Sequence, residues 1–76
     1  MLNPSFTKFY LVTFYNKTVR ALVKDNQTHP TYEDHWGTAH TQDVAAMTES
    51  EARSKLLQRF PAQEGFVIER VTPEPL

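Results

Sequence analysis

Three histidines, His29, His35 and His40, fall in one stretch with Glu33, Asp34 and Asp43. Imidazole and carboxylate together suit zinc. The spacing does not: the intervals are six and five residues, neither a helical i, i+4 pair nor a finger. On a single strand, His35 and His40 would face opposite sides. These residues therefore read as a polar loop. Metal binding through it ranks behind two other readings given below, and no metal or other cofactor is expected. Glu33, Asp34 and His35 would do acid–base work only inside a cleft that perturbs their pKa values. Ser5, Ser50 and Ser54 are hydroxyls with no base at an informative spacing. The two glycines, Gly37 and Gly65, form no phosphate-cradling loop. No residue is assigned a catalytic role, and the chain reads as non-enzymatic.

Residues suited to binding are easier to find. Phe9 and Tyr15 lie near Arg20 and Lys24, a mix that could stack bases and contact phosphate. The run Lys8-Phe9-Tyr10-Leu11-Val12-Thr13-Phe14 is superficially like the aromatic strand of RNA-recognition motifs, without their glycines. The same groups, with Leu11 and Leu22, equally suit a protein interface. Trp36 is the only tryptophan. It is expected to fold back over an edge of the core. Its functional reading is an interface anchor, with Tyr32 beside it.

Size and charge narrow the classes. The chain has 76 residues, enough for one domain spanning 1–76. So small a core leaves little room for a deep catalytic pocket. There are no cysteines, which favours a reducing cytoplasm and removes thiolate metal sites. The start, Met1 to Lys8, lacks the basic-then-apolar pattern of a signal peptide. No stretch approaches the ~20 apolar residues that span a bilayer, so no membrane partner is expected. The net charge is −1, too near neutral for a general nucleic-acid binder. The charges are nevertheless segregated: residues 1–24 hold four cations and no acid, and residues 25–51 hold six acids and no Lys or Arg.

The elements that must position these residues follow from pattern. Lys8 to Tyr15 is a strand, apolar on both faces and hence central. Thr18 to Lys24 is expected to pair with it as a hairpin through a turn at Asn16-Lys17, of two residues or longer. A two-residue loop would gather Tyr10, Val12, Phe14, Val19, Ala21 and Val23 on one face; a three-residue loop would swap the partners. Asp25 to about Thr38 is a loop. Ala39 to Ala46 is a weaker strand with Val44 and Ala46 on one face. Thr48-Glu49-Ser50-Glu51 is a capping box. It opens a helix with an apolar stripe of Ala52, Leu56, Leu57 and Phe60. Glu49–Arg53 and Glu51–Lys55 are spaced as ion pairs, and Pro61 stops the helix near Phe60. Gly65 then opens a strand from Phe66 to Val71, ended by Pro73. The expected fold is α+β: an antiparallel sheet of three or four strands, in the order β-β-(β)-α-β, with one helix packed on one face.

The run Val44 to Val71 has a short strand, Thr-x-x-Glu-Ala, Leu-Leu, Phe-Pro and then Gly-Phe-Val-Ile. It resembles a layout common in small accessory proteins of phages and mobile elements, some of which bind host proteins. The resemblance covers about a third of the chain and transfers no functional residue. It implies an inhibitor or regulator acting on a host protein, and self-association is a competing use of the same surface. The open sheet face is expected to carry Phe9, Leu11, Tyr15 and Leu22 beside Arg20 and Lys24, with Tyr32 and Trp36 as a second contact surface. A nucleic-acid-binding protein using the aromatic and basic hairpin face is the alternative.

Overall fold

The computed structural model describes residues 8–74. Strand β1 (Lys8–Asn16) is followed directly by helix α1 (Lys17–Lys24). A loop and a 3-10 turn at Asp34–Gly37 lead to β2 (His40–Ala46). Helix α2 (Glu49–Arg59), a second 3-10 turn at Ala62–Glu64 and β3 (Phe66–Pro73) complete the chain. The sheet is three-stranded, ordered β2-β1-β3, with β1 antiparallel to both neighbours. The α+β class, the antiparallel sheet and the central position of the first strand all hold.

The expected hairpin does not form. Residues 17–24 are helix, so the element order is β-α-β-α-β. Val19, Leu22 and Val23 are spaced i, i+3, i+4, the pattern of one helical face, and this prevails over the alternation of Val19, Ala21 and Val23. Asn16 decides the outcome locally. Its backbone is extended, not left-handed, and its Oδ1 accepts from Val19 N at 3.0 Å as an N-cap. The helix closes with a Schellman motif: Gln27 N donates to Leu22 O at 2.8 Å and Asn26 N to Val23 O at 3.0 Å. Asn26 supplies the left-handed residue that this motif needs, with φ 57°. Leu22 and Lys24 are thereby carried off the sheet.

Tyr10, Val12 and Phe14 point to one face of β1 and meet Val44 and Ala46 of β2, Phe66 of β3, and Ala52 and Leu56 of α2. This is the core, and α2 covers that face alone. The α2 stripe is as expected: Ala52 and Leu56 are buried, Leu57 and Phe60 half-buried. Thr48 Oγ1 accepts from Glu51 N at 3.1 Å, and the Glu51 carboxylate accepts from Met47 N at 2.6 Å. The Glu49–Arg53 pair forms at 3.0 Å. Glu51–Lys55 does not, because Glu51 is spent on the cap and Lys55 Nζ donates to Ala45 O at 2.6 Å.

One irregularity reassigns faces in β3. The register against β1 shifts between Thr13 and Phe14, leaving Glu69 as an unpaired bulge residue. Ile68 and Val71, three apart, therefore share the core face, opposite Phe14 and Val12. Val67 and Arg70 share the other.

Asn16 is fully buried and also donates through Nδ2 to Glu64 O at 3.0 Å. Asn16→Ala removes the cap and leaves that carbonyl unpaired, so denaturant titration should read a loss of about 2–4 kcal/mol. Thr48→Ala, at an exposed cap, should cost only ~0.5–2 kcal/mol. An Asn16→Ala variant no less stable than Thr48→Ala would show that the buried amide does not hold β1 to α1 and β3.

Candidate functional site

The histidine segment folds into an aromatic cluster at one end of the core. Trp36 lies 5.4 Å from Phe60, 5.8 Å from Phe66 and 4.8 Å from His40, ring centre to ring centre. Phe14 anchors the group at 4.7 Å from Phe60. Tyr32 meets Phe66 edge-on at 5.2 Å. Such pairs contribute about 0.5–1.5 kcal/mol each beyond area burial. Trp36 therefore covers an edge of the core, half-buried, as its sequence position suggested.

The imidazoles of His29 and His40 are occupied by local hydrogen bonds, and that of His35 lies against a neighbouring carboxylate. His29 Nδ1 accepts from Thr31 N and Tyr32 N at 3.0 and 3.1 Å. His40 Nε2 donates to His35 O at 2.9 Å, and His35 Nδ1 faces Glu33 at 3.3 Å. Among the described residues no three His, Asp or Glu side chains are grouped to hold a metal ion. Ser50 and Ser54 lie exposed on α2, and Ser5 lies outside the described residues.

The face of the sheet opposite α2 carries the other predicted residues. Strand alternation places Phe9, Leu11, Thr13 and Tyr15 of β1 there, flanked by Thr41, Asp43 and Ala45 of β2 and by Val67, Arg70 and Thr72 of β3. Phe9 is 45% exposed, and Leu11 and Tyr15 are half-buried. Thr13 is buried at the centre of the face and bonds Thr41 across the strands at 3.3 Å. Met47, just past β2, is 57% exposed.

Arg20 joins this face from α1. Its guanidinium carbon sits 3.7 Å from the centre of the Tyr15 ring, and its Nε donates to Gly37 O at 2.8 Å. A Cβ on Gly37 would lie 3.0 Å from the Arg20 Cα, so only glycine lets the loop approach this closely. The structure thus brings Phe9, Leu11, Tyr15 and Arg20 together. Leu22 and Lys24 stand apart on α1, and Tyr32 and Trp36 belong to the covered side. Arg70 and Val67 were missed from sequence because strict alternation puts them on opposite faces; only the bulge at Glu69 brings them to one.

No known protein family matches the chain, and neither a curated protein nor a solved structure matches it. Among the described residues no helix is long and apolar enough to cross a membrane.

Tyr32 also donates its phenol proton to the Glu64 carboxylate. That hydrogen bond, with desolvation and the Glu64 charge, raises the phenol above its ordinary value of 10.0. The neutral phenol is therefore favoured in the folded state. Its contribution to stability is complete below the ordinary phenol pKa and is lost as pH rises through the raised one. Following the Tyr32 ring-carbon shift by NMR should show titration later than in an unfolded peptide. Glu64→Ala should move it back toward the ordinary range; an unmoved titration would mean that the hydrogen bond is not formed in solution.

Proposed function

We propose that the protein is a non-enzymatic protein-interaction module that binds its partner through the uncovered face of the sheet. The observation that carries this is the pairing of a packed face under α2 with a second face whose central strand presents Phe9, Leu11 and Tyr15 without a covering helix among the described residues. Apolar side chains on either side of Thr13, rimmed by Arg20, Arg70 and Asp43, have the composition of an interface core with a polar rim. An origin in a phage or mobile element, with a host protein as the partner, belongs to the same proposal. It rests on the resemblance of the Val44–Val71 layout.

Nucleic-acid binding through stacking is less well supported. Arg20 already occupies one face of the Tyr15 ring, at 3.7 Å. Among the described residues Phe9 is then the one substantially exposed aromatic of the uncovered face, and a single ring makes a poor platform for successive bases.

The test pairs two variants. Leu11→Glu places a charge in the middle of the uncovered face, and Gln58→Glu places one on the exposed side of α2. Both should keep the wild-type circular dichroism spectrum. A partner captured by wild-type protein, identified and then purified, should bind Gln58→Glu as it binds wild type. Its affinity for Leu11→Glu should fall by about tenfold or more. Equal binding by both variants removes this face from the function. A concentration-dependent dimer in light scattering that Leu11→Glu abolishes would assign the face to self-association instead.

A further inference from the structure

Between α1 and the 3-10 turn lies an open cleft of about 390 Å³, lined by Arg20, Val23, Lys24, Asp34, Thr38 and Ala39. It adjoins the uncovered face at Tyr15, because the Arg20 side chain borders both. Arg20 is fixed before any ligand arrives: the Tyr15 ring lies under its guanidinium, and Gly37 O holds its Nε. Neither Arg20 nor Lys24 joins an ion pair among the described residues. Among the described residues the two terminal guanidinium nitrogens of Arg20 make no hydrogen bond, a pre-oriented fork of the geometry that takes a carboxylate bidentately. Lys24 is one helical turn further along the same side of α1 and adds a second cation. Val23, 41% exposed, and Ala39 give the cleft an apolar wall.

From this geometry we infer that the cleft is a receptor for an acidic side chain of the protein partner, one flanked by apolar residues. This deepens the protein-binding reading above and rests on it. The apolar wall and the continuity with the sheet face favour a carboxylate carried on a polypeptide over a free anion. A pre-oriented arginine loses little rotamer freedom on binding, so the contact keeps more of its gross energy than a mobile surface pair does. Asp34 also lines the cleft, and its negative charge opposes the incoming carboxylate. This gives the site a two-sided signature: removing the Lys24 charge weakens binding, and removing the Asp34 charge strengthens it. Lys24 and Asp34 are both exposed, and neither joins an ion pair among the described residues, so each substitution should leave the fold intact.

The experiment is an NMR titration of the whole chain with three probes. One is a capped pentapeptide of alternating leucine and glutamate. The second replaces each glutamate by glutamine, and the third is inorganic phosphate. The acidic peptide should shift the amides of Arg20, Lys24 and Thr38 and the Arg20 Nε–H, with an affinity that falls as salt rises. The glutamine peptide should bind about threefold or more weakly, Lys24→Gln should weaken the acidic peptide by a similar factor, and Asp34→Asn should tighten it. Phosphate producing the same shifts at the same concentration would overturn the assignment to a protein carboxylate. Equal binding of both peptides at Phe9 and Leu11, with the cleft silent, would overturn the receptor and leave the face as the binding surface. No shift with either peptide would also overturn it. The protein-binding reading is decided separately, by the Leu11→Glu comparison.

Discussion

One buried amide ties the molecule together. Asn16 ends β1 opposite Phe66, caps α1 through Oδ1, and donates through Nδ2 to the carbonyl of Glu64. Lys17 N, the next donor along the chain, reaches Gly65 O at 2.8 Å. Gly65 is left-handed, at φ 104°, and a Cβ there would press on Asn16 Oδ1 and Thr18 Oγ1. The strand end, the helix start and the entry to β3 are thus fixed by one polar side chain with both of its groups satisfied. A buried polar group so placed is costly to disturb and selects one arrangement over its alternatives. It sets where α1 begins, and with that where Arg20 lies.

The same residue marks the limit of what the sequence makes legible. Asparagine serves both as a turn residue and as a helix cap, and both uses are local. The amide's second partner, the carbonyl of Glu64, is 48 positions away, and no local pattern reveals it. The helix α2 was readable because its signals agree: capping box, dipole charges, apolar stripe and Pro61 all point one way. The β1 strand was readable because aromatic and β-branched residues on both faces fit only a central position. The faces of β3 were not, since a bulge carries no distinctive residue here. Of the candidate site, Phe9, Leu11 and Tyr15 follow from alternation along β1. The stacking of Arg20 on Tyr15 follows from the helix that replaced the hairpin, at a position the hairpin reading also placed near that ring.

The segregation of charge along the chain finds its use in the folded form. The cations of the first 24 residues are divided between the strand and α1, and the acids that follow lie in the loop, in β2 and in the first turn of α2. Asp34 and Lys24 end on the same cleft, and Asp43 flanks Leu11 on the uncovered face. Lys24 and Asp34 line one cleft without joining an ion pair among the described residues, and exposed charges of this kind have a modest effect on stability. Stability rests instead on Phe14 and the rings gathered around it.

The bulge at Glu69 and the reach of Lys55 to the Ala45 carbonyl have a common consequence for how molecules of this protein meet at high concentration. A three-stranded sheet has two outer strands whose backbone groups invite another chain to add alongside. Here one border is plugged by a lysine ammonium, and the other is kinked at Glu69 and ends in Pro73, which has no N–H to offer. Lateral growth of the ladder into fibrils is therefore discouraged along both borders, and the chain can keep an apolar face in contact with solvent at less risk of assembling edge to edge.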